Sequence, residues 1–93
     1  MVKFEYFPEV LIKRIGSDVT EWISPAAILK RSRYFDSLSA ASNCISDFVY
    51  FYKQFKNTKY KDFDCDIIDA RVSQRIVEYH DWFFTGYKYD QNK

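Results

Sequence analysis

A predicted β-hairpin near the start of the chain constrains the fold more than any other feature of the sequence. Val10–Ile15 is rich in β-branched residues, and Val19–Ile23 is a second run of the same kind. Between them, Gly16-Ser17-Asp18 supplies a residue that tolerates positive φ and two side chains that stabilise turns. The two runs are therefore predicted to be antiparallel strands with a three-residue connection. A local hairpin favours an α+β fold over a doubly wound parallel sheet.

The two prolines of the chain mark predicted boundaries of secondary structure. Val2, Phe4 and Tyr6 alternate with polar residues, which predicts a short edge strand that Pro8 ends. Ser24-Pro25 is typical of a helix start, because serine caps helix N-termini and the missing N–H of proline costs nothing at the first helical position. The alanine-containing run that follows favours a first short helix.

The next segment contains a predicted second helix and then an ambiguous aromatic run. Ser32 suits the N-cap of a helix from Arg33 to about Ala41, which Ser42-Asn43 would end. Residues 45–60 favour a strand by propensity, because aromatic and β-branched residues follow one another there. The same aromatic side chains also fit one face of a helix. We predict a strand followed by a turn at residues 56–59, with the helix as the alternative.

The last third of the chain is predicted to form one more strand and one long helix. Residues 62–67 alternate polar and apolar side chains, which predicts a strand with Phe63, Cys65 and Ile67 facing the core. Asp69 suits the N-cap of a following helix that ends near Gly86. An apolar stripe along this helix is expected to pack on the sheet against residues of the earlier helices. The stripe is Val72, Ile76, Tyr79 and Phe83, and its expected partners are Leu29, Phe35 and Leu38.

These elements predict one α+β domain over residues 1–93, with a small mixed sheet that contains the hairpin and is flanked by short helices.

The chain carries 14 Lys and Arg against 13 Asp and Glu, whereas nucleic-acid-binding proteins usually have a basic excess. No stretch is apolar enough to span a membrane, and the N-terminus lacks the apolar core of a signal peptide. A cytoplasmic or nuclear protein is therefore expected, without membrane contact and with nucleic-acid binding as the least favoured alternative.

The residue types that carry most enzyme chemistry are sparse. His80 is the only histidine and has no companion at a ligand spacing, so neither a metal site nor a cofactor is expected. Cys44 and Cys65 lie well apart in a chain without a signal peptide, so they are expected to be buried, reduced core residues, with a disulfide as the alternative. Nothing near either cysteine would lower its pKa, which argues against a catalytic thiol. The carboxylates between residues 62 and 69 lack the glycine and the glutamate of an EF-hand loop. No residue is predicted to be catalytic, and the chain is not expected to be an enzyme.

Three short motifs occur in an informative order. Gly16–Trp22 covers the turn and most of the second strand of the predicted hairpin, Ser32-Arg33-Tyr34-Phe35 opens the predicted second helix, and Phe84-Thr85-Gly86 ends the predicted last helix. In this order, over residues 10–89, they resemble the BTB/POZ family, and in particular its short elongin C-like branch. That family has a serine–x–aromatic–phenylalanine signature at its second helix and an aromatic–Thr–Gly element at the end of a later one. The resemblance implies a divergent BTB/POZ-like domain without the family's further C-terminal helices.

The resemblance also implies a function in protein–protein interaction, because members of this family dimerise or bridge cullin scaffolds of ubiquitin ligases to receptors. The expected partner is a cullin-type scaffold or a second copy of the chain. The alternative is a small inhibitor or decoy, for example a viral one, that binds a host protein. Aromatic residues make up 20% of the chain and are enriched at interfaces, so the aromatic run is the expected contact surface. The expected partner-binding residues are Phe48, Tyr50, Phe51, Tyr52, Phe55 and Tyr60.

Overall fold

The computed structural model describes residues 2–55, 64–78 and 81–89, which form four strands and two helices. The elements are β1 (Phe4–Arg14), β2 (Thr20–Ile23), α1 (Pro25–Ile28), α2 (Leu38–Phe55), β3 (Cys65–Ile76) and β4 (Phe83–Phe84). The strands form one sheet in the order β2-β1-β3-β4, and every neighbouring pair is antiparallel. The predicted α+β class is therefore confirmed, whereas the sheet is antiparallel rather than mixed.

The predicted hairpin is present and has a longer connection than expected. β1 and β2 pair from Val10 opposite Ile23 to Lys13 opposite Thr20. Gly16 has a φ of 83°, in the left-handed region that favours glycine. The connection covers residues 15–19 instead of three residues. It is held by a hydrogen bond in which the N–H of Val19 donates to the Ser17 hydroxyl at 3.1 Å.

β1 continues through Pro8, so the prediction of a short strand ending at this proline is wrong. The N–H of Tyr6 donates to the carbonyl of Phe35 at 2.9 Å, on the edge of β1 that faces away from β3. Because N–H directions alternate along a strand, the nitrogen of Pro8 faces the same edge. β2 pairs with β1 only from Val10 onward. Pro8 therefore lies between the residue of β1 that bonds to Phe35 and the stretch of β1 that pairs with β2. An N–H at this position would have no partner in the sheet, so the proline removes no hydrogen bond.

α1 begins where the Ser24-Pro25 pair predicts it. The Ser24 Oγ accepts a hydrogen bond from the N–H of Ala27 at 3.2 Å, and Pro25 is the first helical residue. The helix ends after Ile28, and Lys30 takes a positive φ of 58° directly after it. This short helix leads the chain from β2 back toward β1.

The predictions of a helix from Arg33 to Ala41 and of a strand from residue 45 are both wrong, because α2 runs unbroken from Leu38 to Phe55. Its N-cap is Ser37 rather than Ser32, since the Ser37 Oγ accepts from the N–H of Ala40 at 3.1 Å. Ser42 does not end the helix, and its hydroxyl donates to the carbonyl of Leu38 at 2.7 Å. The predicted turn at residues 56–59 lies outside the described residues.

An apolar stripe explains why α2 forms across this segment. Its buried residues are Ala41, Cys44, Ile45 and Phe48. Their spacings of three and four residues place them on one helical face, which packs on the sheet. The burial of this face outweighs the strand propensity of the aromatic residues that follow.

β3 extends to Ile76, so the helix predicted from Asp69 to near Gly86 is wrong. It pairs with β1 along the whole of Phe4–Arg14. A spacing of four residues returns to the same face in a strand as well as in a helix, so the pair of Val72 and Ile76 could not distinguish the two. Asp69 caps no helix, and its Oδ1 accepts a hydrogen bond from the N–H of Ala70 at 2.8 Å.

The core lies between the sheet and α2. It consists of Val10, Ile12, Ala41, Ile45, Phe48, Cys65, Ala70 and Val72. Among the expected core residues, Val72 and Cys65 are buried, and Ile67, Ile76, Leu29 and Phe35 are half-buried. Leu38 and Phe83 are exposed; Leu38 is the first residue of α2, and Phe83 lies in the edge strand β4. Phe63 and Tyr79 lie outside the described residues.

Two neighbouring aromatic residues of α2 test the helix. Phe48 is fully buried and Tyr50 is 60% exposed. Phe48→Ala is expected to lower the free energy of unfolding by about 3–5 kcal/mol, and Tyr50→Ala by less than about 0.5 kcal/mol. Denaturation in urea measures both. In a strand, residues 48 and 50 would share one face, so equal losses in the two variants would contradict the helix.

Candidate interaction surface

The aromatic run that is predicted to bind a partner is divided between the core and the surface. Phe48 lies in the core, where no partner can reach it while the domain is folded. Phe51, Tyr52 and Phe55 are half-buried and pack against the core. Tyr50 is the most exposed of the described members of this run. The last predicted contact residue, Tyr60, lies outside the described residues.

The face of the sheet that points away from α2 carries a second group of aromatic and charged side chains. Side chains alternate along a strand, so the odd-numbered residues of β1 from Glu5 to Glu9 point away from the core. β3 places Arg75, Ser73 and Arg71 opposite Glu5, Phe7 and Glu9, respectively. Further aromatic rings reach this face from β2, β4 and the loops. We call it the aromatic–arginine face and define it by Phe7, Trp22, Tyr34, Arg71, Arg75, Trp82 and Phe84.

The guanidinium of each arginine of the face lies close to two aromatic rings. The guanidinium carbon of Arg71 is 3.9 Å from the ring centre of Trp22 and 4.8 Å from that of Phe84. The guanidinium carbon of Arg75 is 4.5 Å from the ring centre of Trp82 and 5.3 Å from that of Tyr34. All four distances fall within the range of cation–π attraction. The two arginines of β3 therefore connect side chains of β2, β4 and two loops.

The same arginines form ion pairs with β1. The Nε of Arg71 donates to Glu9 Oε1 at 2.9 Å. Arg75 donates to Glu5 Oε1 twice, from Nε at 3.2 Å and from Nη2 at 2.9 Å. These four side chains are 17–33% exposed, so water screens the pairs less than it screens fully exposed ones. Each positive charge of the face is therefore matched by a glutamate of β1.

Three of the aromatic rings also contact one another. Tyr34 and Trp82 are stacked, with ring centres 5.6 Å apart and planes 24° apart. Phe7 contacts both rings in tilted geometry, at 5.8 Å from Tyr34 and 5.9 Å from Trp82. The outer rings of the face are not covered, since Phe84 is 65% exposed and both Tyr34 and Trp82 are exposed. The described part of the chain thus leaves a contiguous aromatic area in contact with water.

None of these residues is among the predicted binding residues. A signal for them exists in the sequence, because Glu5-x-Phe7-x-Glu9 and Arg71-x-Ser73-x-Arg75 carry opposite charges at matching alternate positions. Such charges face each other across an antiparallel pair. The signal is hidden when residues 69–86 are interpreted as a helix.

The described residues offer little for other kinds of site. Cys44 and Cys65 form no disulfide and have no exposed surface, and burial raises the pKa of Cys44 above its ordinary value. His80 lies outside the described residues. Within residues 2–55, 64–78 and 81–89, no three histidine, cysteine, aspartate or glutamate side chains are grouped as metal ligands would be. Over the same ranges, neither helix combines the length and the apolar character needed to cross a bilayer.

Comparison with known proteins assigns the chain to no family, because no protein-family model, characterised protein or solved structure matches it significantly. The geometry of the aromatic–arginine face therefore carries the functional argument.

Burial of Cys44 is expected to make stability depend on alkaline pH. A thiol in the unfolded chain loses its proton near pH 8.5, whereas the pKa of Cys44 is raised by burial in the fold. As the pH rises above about 8.5, the unfolded state loses this proton while the native state keeps it. The free energy of unfolding should therefore fall, by at most about 1.4 kcal/mol per pH unit for one group. Urea denaturation between pH 7.5 and 9.5 should show a smaller fall for Cys44→Ala. Equal slopes in the two proteins would contradict a raised pKa.

Proposed function

We propose that this chain is a non-catalytic protein-interaction module and that partners bind its aromatic–arginine face. One observation carries the proposal. Five aromatic rings and two arginines share the face of the sheet that α2 does not cover, and no other described element covers it.

The residue types of this face are those of protein interfaces. Tyrosine, tryptophan, phenylalanine and arginine are enriched at interfaces, and tryptophan, tyrosine and arginine dominate the residues whose loss most weakens binding. Trp22, Tyr34, Trp82, Arg71 and Arg75 all belong to these types. Aromatic residues that fill a protein core are buried, whereas Tyr34 and Trp82 are exposed.

The contacts within the face favour binding for a second reason. Each arginine is fixed by one glutamate and two rings, and the stacked pair of Tyr34 and Trp82 is fixed by Phe7. Side chains that are already held in one conformation lose less entropy when a partner binds. The face therefore offers a large contact area at a small entropic cost.

The charges on the face favour a protein over a nucleic acid. Arg71 and Arg75 are both paired with glutamates, so the face has no formal excess of positive charge. Nucleic-acid binding draws much of its affinity from the neutralisation of phosphates. A nucleic-acid-binding role is for this reason the least favoured form of the proposal.

A BTB/POZ-like adaptor of the elongin C type is the most specific form of the proposal. Each of the three motifs that carry this resemblance contributes one residue to the face, namely Trp22, Tyr34 and Phe84. The last of them, Phe84-Thr85-Gly86, starts in β4 instead of ending a helix. In this form the partner is a cullin-type scaffold or a second copy of the chain. An inhibitor or decoy that binds a host protein would use the same surface and would differ in blocking the activity of the protein it captures.

Two exposed aromatic residues on opposite sides of the domain provide a matched test. Phe84 is 65% exposed on the aromatic–arginine face and Tyr50 is 60% exposed on α2, so aspartate at either position should leave the fold intact. Phe84→Asp is expected to reduce the recovery of a partner protein at least tenfold, as expected when an interface contact worth about 1.4 kcal/mol or more is lost. Tyr50→Asp should leave recovery unchanged. Affinity purification with quantitative mass spectrometry, on proteins whose circular dichroism is native, measures both.

The other outcomes separate the forms of the proposal. A partner that is lost with Tyr50→Asp and kept with Phe84→Asp would transfer the site to α2. A cullin among the captured proteins would support the adaptor form, and a wild-type dimer in light scattering that Phe84→Asp converts to a monomer would support self-association. Recovery that is insensitive to Phe84→Asp contradicts the proposal.

A further inference from the structure

We propose that a depression above Ser73 binds an aromatic side chain of a partner protein, and that Arg71 binds an acidic side chain next to that ring. The inference rests on the proposed function and names the chemistry that the partner presents. It concerns a feature within the aromatic–arginine face where one small residue is surrounded by large ones.

The depression results from the register of three strands. Ser73 pairs with Phe7 of β1 on one side and with Phe84 of β4 on the other. Because serine is much smaller than phenylalanine, the surface is lower at Ser73 than at its two neighbours. Ser73 forms the floor of this depression and is only 5% exposed. The resulting depression has a volume of about 280 Å³, and around Ser73 it is lined by Phe7, Trp82, Phe83 and Phe84 together with Arg71 and Glu9. Pockets for whole small molecules begin at about 300 Å³, so this volume suits a single side chain.

The walls of the depression select for an aromatic guest. Phe7, Trp82 and Phe84 surround the floor, and aromatic rings attract one another more strongly than the area they bury accounts for. Phe7 is fixed by its contacts with Tyr34 and Trp82, so this wall is formed before a guest arrives. A flat ring can therefore stack on a wall without rearranging it.

Arg71 supplies hydrogen-bond donors at the rim. Its Nε is used by Glu9, and no acceptor among the described residues takes a hydrogen bond from either of its Nη atoms. Arg75 differs, since it uses both Nε and Nη2 on Glu5 and its side chain is 19% exposed against 33% for Arg71. The planar fork of an arginine binds a carboxylate with two parallel hydrogen bonds. Because the rings of Trp22 and Phe84 hold the guanidinium in place, this fork is already oriented.

A protein segment fits these two features better than a nucleic acid does. A stacked base could also occupy the depression, but a nucleic acid brings several phosphates to a face that already holds the carboxylates of Glu5 and Glu9, whereas an acidic side chain brings a single charge. An aspartate or glutamate beside a tryptophan, tyrosine or phenylalanine brings one negative charge to Arg71 and one ring to the depression. The occupant is therefore an aromatic–acidic segment of another protein.

The test uses three blocked dipeptides that differ in one feature at a time. N-acetyl-Trp-Asp-amide carries the ring and the charge, N-acetyl-Trp-Asn-amide lacks the charge, and N-acetyl-Ala-Asp-amide lacks the ring. Titration of the isotope-labelled full chain, followed by NMR, should give a dissociation constant on the order of 1 mM for the first peptide. Each of the other two should bind about tenfold more weakly, as expected for the loss of a charged hydrogen bond or of a stacked ring. The shifted signals should centre on Ser73, Phe84 and the Nε–H of Arg71.

Variants of the two proposed contact residues complete the test. Ser73→Leu should fill the depression and abolish saturable binding, whereas Ser39→Leu, at an exposed position of α2, should change nothing. Arg71→Lys keeps the positive charge but loses the fork, so the tenfold preference for Asp over Asn should fall below about threefold. If Ser73→Leu does not fold, the result for Arg71→Lys and the positions of the NMR signals that shift in the wild-type protein decide the question.

Several results would overturn the inference. These are equal binding of all three dipeptides, signal changes away from Ser73, an unchanged Asp preference in Arg71→Lys, and tighter binding of an eight-nucleotide oligo(dT) at the same residues. If a partner protein is still lost with Phe84→Asp while the dipeptides fail, the proposed function stands and only the recognition chemistry is wrong. If Phe84→Asp retains the partner, the proposed function itself fails.

Discussion

The long antiparallel pairing of β1 with β3 is the constraint on which the rest of this domain depends. The two strands pair along all of Phe4–Arg14, and every other element attaches to this two-stranded ribbon. Its pleat divides the side chains into a core face covered by α2 and the aromatic–arginine face on the other side. Sliding one strand by a single residue would exchange the two faces. The ion pairs from Arg71 to Glu9 and from Arg75 to Glu5 form only in the observed register, and they therefore help to specify it.

The parts of the fold that could be predicted from the sequence are those with a local cause. Gly16 and its neighbours set the hairpin turn, Ser24-Pro25 sets the start of α1, and the alternation around Cys65 indicates a strand. The failures have tertiary causes. α2 forms because its stripe from Ala41 to Phe48 is buried on the sheet, although the residues after it prefer strands. β3 continues past Asp69 because β1 is long enough to pair with it, and no local pattern encodes that length.

The candidate surface was harder to predict than the fold. Its rings and charges come from five separate stretches of chain, around Phe7, Trp22, Tyr34, Arg71–Arg75 and Trp82–Phe84. Only the pairing of β1, β3 and β4 brings these stretches together. The aromatic excess correctly indicates residues beyond the needs of the core, but it does not locate them. On α2, the core accounts for Phe48 and for most of its aromatic neighbours.

The hydrogen bond from the N–H of Ala70 to Asp69 Oδ1 affects how readily the edge of the sheet can pair with another molecule at high protein concentration. The carbonyl of Val72 accepts from the N–H of Thr85, so it points to the outer edge of β3, and by alternation the N–H of Ala70 points the same way. Among the described residues, β4 pairs with that edge at Ser73 and Gln74, and Thr85 extends the hydrogen bonding to Val72. An open amide there would invite a strand from a neighbouring molecule to extend the sheet. Asp69 occupies this amide and adds a negative charge beside it, and both features disfavour edge-to-edge pairing of one molecule with another.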